Sequence, residues 1–174
     1  PHLLETSQPL IGDFEYLAGM HEVEGEYTPS TDQHCWSDMF VHNTLEAMAA
    51  GLALAPDAEL EAELDRRIDV VAKAQESDGY LQSCHQVRST PRWSDMDNHE
   101  LFAAGHLMEA AAAYYRLSGK HALLDVARRL ADHIVDVFRS GKVTFDRAGH
   151  PGVEMALAKL YDATGESAYL EQSR

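Results

Sequence analysis

Ala113-Tyr114-Tyr115-Arg116-Leu117-Ser118-Gly119-Lys120 and Lys159-Leu160-Tyr161-Asp162-Ala163-Thr164-Gly165-Glu166 are two copies of one phrase. Tyr115 matches Tyr161, Gly119 matches Gly165 and, further on, Leu124 matches Leu170, each pair about 46 positions apart. In both copies an apolar helical pattern runs into a hydroxyl residue and then a glycine. Glycine takes the left-handed conformation without a steric penalty and so ends helices well. A second helical pattern begins a few residues later. A helix–turn–helix unit repeated at such a period marks a helical-hairpin array, which stacks as an open solenoid or closes into an α/α toroid. The expected fold class is therefore all-α.

The helix leading into the first copy is Asp97-Asn98-His99-Glu100-Leu101-Phe102-Ala103-Ala104-Gly105-His106 and onward to Tyr115. Asp97 suits an N-cap, and Glu100 stands where a capping-box residue returns a bond to the cap. Leu101, Ala104, Met108, Ala111, Ala112 and Tyr115 form one apolar stripe. His99 and His106 are two turns apart on one side. They can be read as a polar-ligand site, or as one hydrogen-bonded core histidine and one surface histidine. The spacing is not the His-Glu-x-x-His of zinc proteases.

Outward from there, Leu3 to Ala18 is a weak helix interrupted by Pro9 and Gly12, and Met20 to Gln33 reads as a loop. Trp36 to Ala55 is helical, with Met39, Leu45, Met48, Ala49 and Leu52 on one stripe. Pro56 stops it and Asp57 caps the next helix, which runs to about Gln75. Leu60, Leu64, Ile68, Val71 and Ala72 point inward there; Glu59, Glu61, Glu63, Asp65, Arg66 and Arg67 form a solvated face. Ser77-Asp78-Gly79 is a turn. Gln82 to Asp95 reads as a long loop, and a long loop between helices is more often functional than a short one. Leu123 to Phe138 and Val153 to Thr164 are helices, with Pro151 at the first position of the latter. A last helix starts near Ser167, so the array looks cut inside a hairpin.

A chain of 174 residues, 45% hydrophobic and 25% charged, suits one soluble globular domain. A net charge of -15 makes nucleic acid and anionic membrane poor partners. No stretch is apolar enough to span a bilayer, and no signal peptide is visible. A cytoplasmic location is the expectation, although a start at Pro1 implies processing or a cut. Cys35 and Cys84 are expected as free, partly buried thiols, although they can pair in principle.

Taken together, several pieces resemble the glycoside hydrolases typified by bacterial β-L-arabinofuranosidase. They are Trp36-Ser37-Asp38, Leu45-Glu46-Ala47, Asp78-Gly79-Tyr80-Leu81, His99-Glu100-Leu101-Phe102 with Gly105-His106-Leu107, Ala131-Asp132-His133-Ile134, and Gly149-His150-Pro151 with Glu154-Met155-Ala156-Leu157. The resemblance implies an (α/α)6 barrel, of which residues 1–174 are the N-terminal portion. It implies that His99 and His150 contact the sugar, with Asp38 and His106 near the same pocket. It also implies a retaining mechanism with a zinc-bound cysteine thiolate as nucleophile and a glutamate acid/base. Zinc keeps such a thiolate deprotonated. By resemblance, the zinc and its ligands lie beyond Arg174, so no metal is expected on this segment and the segment alone is expected to be inactive. The chain departs from the family pattern at Gly152, usually glutamate, and at Phe102, usually tyrosine.

Two other readings stay open. A non-catalytic helical-array module needs no catalytic set. A two-carboxylate glycosidase would use Glu100 and Glu154, each beside a histidine. Tyr80, Trp93 and Trp36 offer rings for a sugar face, or core packing. The expected partner is a carbohydrate of L-arabinofuranoside type, and a homodimer is allowed.

Overall fold

The computed structural model describes residues 2–20, 35–143, 145 and 147–174, and among them all regular structure is helical. The helices are α1 (His2–Leu17), α2 (Asp38–Leu54), α3 (Ala58–Ala74), α4 (Ser83–Arg88), α5 (Glu100–Ser118), α6 (Ala122–Arg139), α7 (Val153–Thr164) and α8 (Ser167–Gln172), with a short 3₁₀ turn at Met96–Asn98. Helices α2, α5 and α7 pack side by side as an inner row, while α3, α6 and α8 stand behind them. Helix α1 packs on α2 and α3. This is a segment of an α/α toroid built from three hairpins. No helix among the described residues is long and apolar enough to cross a membrane.

The two rows differ in sequence for a physical reason. Outer helix α6 is amphipathic: Leu123, Leu124, Ala127, Leu130, Ala131 and Ile134 are buried while Arg128 and Arg129 are exposed. Inner helix α5 is flanked by α2, α6 and α7, so one apolar stripe is not enough. Ala103, Gly105, Leu107, Ala110 and Ala113 are buried along with the expected stripe, of which only Tyr115 is partly open. A helix that is apolar all round belongs inside. Gly105 lets α7 approach, since a Cβ there would meet the Val153 backbone at 3.3 Å.

The repeat appears as matching helix ends. Gly119 (φ 71°) donates its N–H to Tyr115 O at 2.8 Å, and Gly165 (φ 74°) does the same to Tyr161 O at 2.7 Å. Ser118 and Thr164 hydroxyls donate back to Tyr114 O and Leu160 O.

Several expectations are corrected. Helix α1 runs unbroken through Pro9. Ile11 and Phe14 are fully buried, and packing on α2 and α3 overrides the local breakers. Arg67 is not on a solvated face: it is 2% exposed, and its guanidinium donates to Glu63, Ser7 and Gln8, which ties α3 to α1. Cys35 and Cys84 are not free thiols but a disulfide joining the segment before α2 to α4. The loop expected over Gln82–Asp95 contains α4. Pro151 does not open α7, which starts at Val153 after Gly152. Asp57 caps α3 as expected, accepting from the Glu59 and Leu60 N–H groups. The loop expected over Met20–Gln33 lies, from residue 21 on, outside the described residues.

Candidate functional site

The N-terminal ends of α2, α5 and α7 meet around a hollow lined by Trp36, Met39, His99, Phe102 and His150. The hairpin topology puts them there. Each inner helix starts at the same end of the toroid, so residues just before or inside three first turns converge.

His99 holds the N-cap position of α5 in the left-handed conformation (φ 60°, ψ 21°). Asp97 does not cap α5 as expected; it lies in the 3₁₀ turn, where its N–H is capped by the Asp95 carboxylate. A histidine in that backbone well is uncommon and is tolerated where the surroundings hold it. The His99 Nδ1 is buried and has no hydrogen-bond partner among the described residues. Its ring lies 4.9 Å from that of His150 and 6.0 Å from Phe102, and Phe102 lies 5.4 Å from His150. His150 is exposed; Phe102 is half-buried. His106 sits one turn further along α5, edge-on to Phe102 at 4.7 Å. Three of the sequence-derived residues, His99, His106 and His150, therefore form one cluster with Phe102 among them.

Asp38 takes another place. It is buried at the start of α2, and its two carboxylate oxygens accept from the Ser83 N–H and hydroxyl, which tethers the start of α4. Glu154 is exposed and accepts from the Gly152 N–H at its own helix start. Glu100 does not form the expected capping box. It is buried, and its carboxylate accepts from Tyr80 Oη at 2.6 Å and from the Trp93 N–H at 2.8 Å. Burial pushes its carboxyl up to about 7. Tyr80 and Trp93 are buried around it, so of the three candidate stacking rings only Trp36 lines the hollow.

Sequence reasoning passed over His42. His42, fully enclosed on α2, is held well below the usual histidine range, at about 3, by burial. Its Nδ1 contacts Ala103 O at 3.2 Å, which makes it the neutral Nδ1–H tautomer and a strut between α2 and α5. Gly149, quoted only as part of the Gly149-His150-Pro151 piece, has a role of its own: a Cβ on it would meet Met96 O at 2.7 Å. A glycine directly before the His-Pro pair was the signal for that close approach. A second hollow, lined by Leu52, Leu64, Tyr114, Leu117 and Lys120, lies at the opposite ends of α2 and α5 and contains no histidine.

Imidazoles can donate to and accept from hydroxyl groups, and Trp36 and Phe102 offer flat apolar faces. That combination suits a small polyhydroxylated ligand with one C–H face. Zinc does not fit these residues. Among the described residues no three His, Cys, Asp or Glu side chains are placed to hold one metal ion, and both cysteines are used in the disulfide.

The family described as the GH127 catalytic domain of β-L-arabinofuranosidase matches residues 4–174. This chain belongs to that family. A non-reducing end β-L-arabinofuranosidase of Bifidobacterium longum subsp. longum is 39% identical over 166 residues, covering 91% of this chain and 25% of the relative. A crystal structure of a GH127 β-L-arabinofuranosidase from Geobacillus stearothermophilus T6 superposes with a TM-score of 0.82 at 39% identity, covering 94% of this chain and 25% of that one. A second GH127 β-arabinofuranosidase structure gives 0.78 at 31% identity, with 97% and 27% covered. The chain thus spans about a quarter of the length of the GH127 relatives it matches. The all-α toroid fold and the resemblance to these glycoside hydrolases both hold.

Proposed function

We propose that this chain is the first part of the catalytic barrel of a retaining GH127 glycoside hydrolase acting on β-L-arabinofuranosides or a closely related sugar. In this reading its share of the site grips the sugar: His99 and His150 bind hydroxyl groups, while Trp36 and Phe102 cover a C–H face. The observation that carries the reading is the 4.9 Å approach of the His99 and His150 rings at the convergent helix ends of a GH127 fold. His106 supports Phe102 from behind, and Asp38 holds α4 rather than the ligand. The nucleophile, the acid/base and any zinc belong to other parts of the full-length protein, and no chemical step is assigned to residues 1–174.

The test is hydrolysis of an aryl β-L-arabinofuranoside by the full-length protein. His99→Ala and His150→Ala should each lower kcat/KM by about tenfold to a hundredfold, the size of one or two lost hydrogen bonds. Wild-type rates from both variants would remove these histidines from the site. No hydrolysis by the wild type would remove this substrate class.

A further inference from the structure

Glu100 lies beside the proposed sugar site, one residue from His99, without lining it. Its side chain is 4% exposed, and both carboxylate oxygens are used by groups outside α5. One partner, Tyr80, precedes α4; the other, the Trp93 N–H, lies in the segment between α4 and α5. Trp93 is itself left-handed (φ 52°). It is pinned a second time through its indole N–H, which donates to His133 Nε2 at 3.1 Å. His133 therefore carries its proton on Nδ1, which donates to Asp78 O at 3.0 Å. Arg92, just before Trp93, lays its guanidinium 4.1 Å over the Tyr80 ring and pairs with Glu76 and Asp78.

The residues just beyond Trp93 lead into the site. Three positions on, Met96 opens the 3₁₀ turn and accepts the His99 N–H at 3.3 Å. The same Met96 carbonyl is the surface against which Gly149 rests. The position of the segment 93–98 therefore sets both histidines: His99 through its own backbone, and His150 through Gly149. Two strained, left-handed non-glycine residues, Trp93 and His99, flank that segment and need outside support.

We propose that Glu100 is a positioning residue that, by holding Trp93 and Tyr80 against the first turn of α5, keeps His99 and His150 presented to the hollow. This rests on the sugar-binding reading of that hollow. A carboxylate suits the task because two donors arrive on separate oxygens in a dry place. The charged and titratable groups facing it are Tyr80 and Arg92 above, His133 through Trp93, Asp38 through Tyr80, and His99 beside it in the chain. Glutamine keeps both contacts by accepting from the Trp93 N–H and donating to the Tyr80 oxygen. Alanine orphans both donors.

The experiment compares full-length wild type, Glu100→Gln, Glu100→Ala and Tyr80→Phe in two assays. The first is aryl β-L-arabinofuranoside hydrolysis. The second is histidine modification by diethyl pyrocarbonate, read residue by residue by mass spectrometry. Glu100→Ala should lower kcat/KM at least tenfold, mainly through KM, and raise modification of His99 and His150. Glu100→Gln should recover most of both, and Tyr80→Phe should fall between. If Glu100→Ala does not fold, Tyr80→Phe and Glu100→Gln decide the matter by the same order. A footprint at His99 and His150 unchanged in every folded variant, or a glutamine variant as altered as the alanine one, overturns the proposal. If the wild type does not cleave the glycoside, the functional reading fails while the footprint still judges Glu100.

Discussion

The ring of His150 stands 4.9 Å from that of His99, and it stands there because the residue before it has no side chain. Gly149 lies so close to the Met96 carbonyl that a methyl group would come within 2.7 Å of the oxygen. The loop before α7 is thus pressed onto the turn before α5, and the two histidines face each other.

Gly149→Ala tests that contact. The added methyl forces the loop off the turn, so His150 should move away from His99 while the buried helices stay as they are. Thermal melting should change by no more than about 1–2 kcal/mol. The affinity of the full-length protein for the sugar should fall about tenfold or more. A variant binding as tightly as the wild type would separate the two histidines functionally.

Glu100 should mark the pH dependence of stability. Its carboxyl is raised from 4.5 to about 7 by burial, so the folded state favours the protonated form. A group raised in this way contributes stability that is full below about 4.5 and is lost as pH rises through 7. Glu100→Gln cannot ionise. It should melt like the wild type near pH 4.5 and above it at pH 8, by up to about 3 kcal/mol. Melting curves of both proteins across that range check the sign.

His42 works in the opposite direction. Burial lowers it to about 3, so the unfolded chain takes up a proton near pH 6.5 and the folded chain does not. Stability present above 6.5 is lost as pH falls toward 3. His42→Asn keeps a donor toward Ala103 O and removes the titration. Its stability should therefore fall less than that of the wild type between pH 6 and pH 4. Parallel acid-unfolding curves would contradict the assignment.

The disulfide is open to a direct test. Cys35 and Cys84 are separated by 49 residues in sequence, a loop whose closure is worth about 4 kcal/mol in the chain-entropy account. Reduction, or Cys84→Ser, should lower the melting temperature and loosen Trp36 next to Cys35. Intrinsic tryptophan fluorescence should shift toward that of a more exposed indole.

What was legible in the sequence was carried by neighbours in the chain. Gly119 and Gly165 end their helices through local backbone bonds, and that local signal gave the hairpin repeat. Asp57 as a cap is local in the same way. Arg67, Glu100 and the two cysteines were misread because they depend on partners from other elements. Arg67 reads as surface until Ser7 and Gln8 are brought beside it by α1. Glu100 reads as a capping-box residue until Tyr80 and Trp93 arrive as donors. The cysteines read as free until α4, which local pattern did not reveal, places Cys84 beside Cys35. In the site, His99 was marked by its spacing from His106 and by resemblance, His150 by resemblance alone, and the fold brings them together. Phe102 and Gly149 acquire their parts only from that juxtaposition.

The central claim is that the hollow at the helix ends holds a sugar through His99 and His150. The most direct measurement is isothermal titration of the full-length protein with methyl β-L-arabinofuranoside, for the wild type, His99→Ala, His150→Ala and the double variant. The account predicts measurable binding by the wild type and a loss of at least tenfold in each single variant. It also predicts that the double variant loses less than the two losses combined, because the residues act on one ligand. A double variant that binds as the wild type does would contradict it.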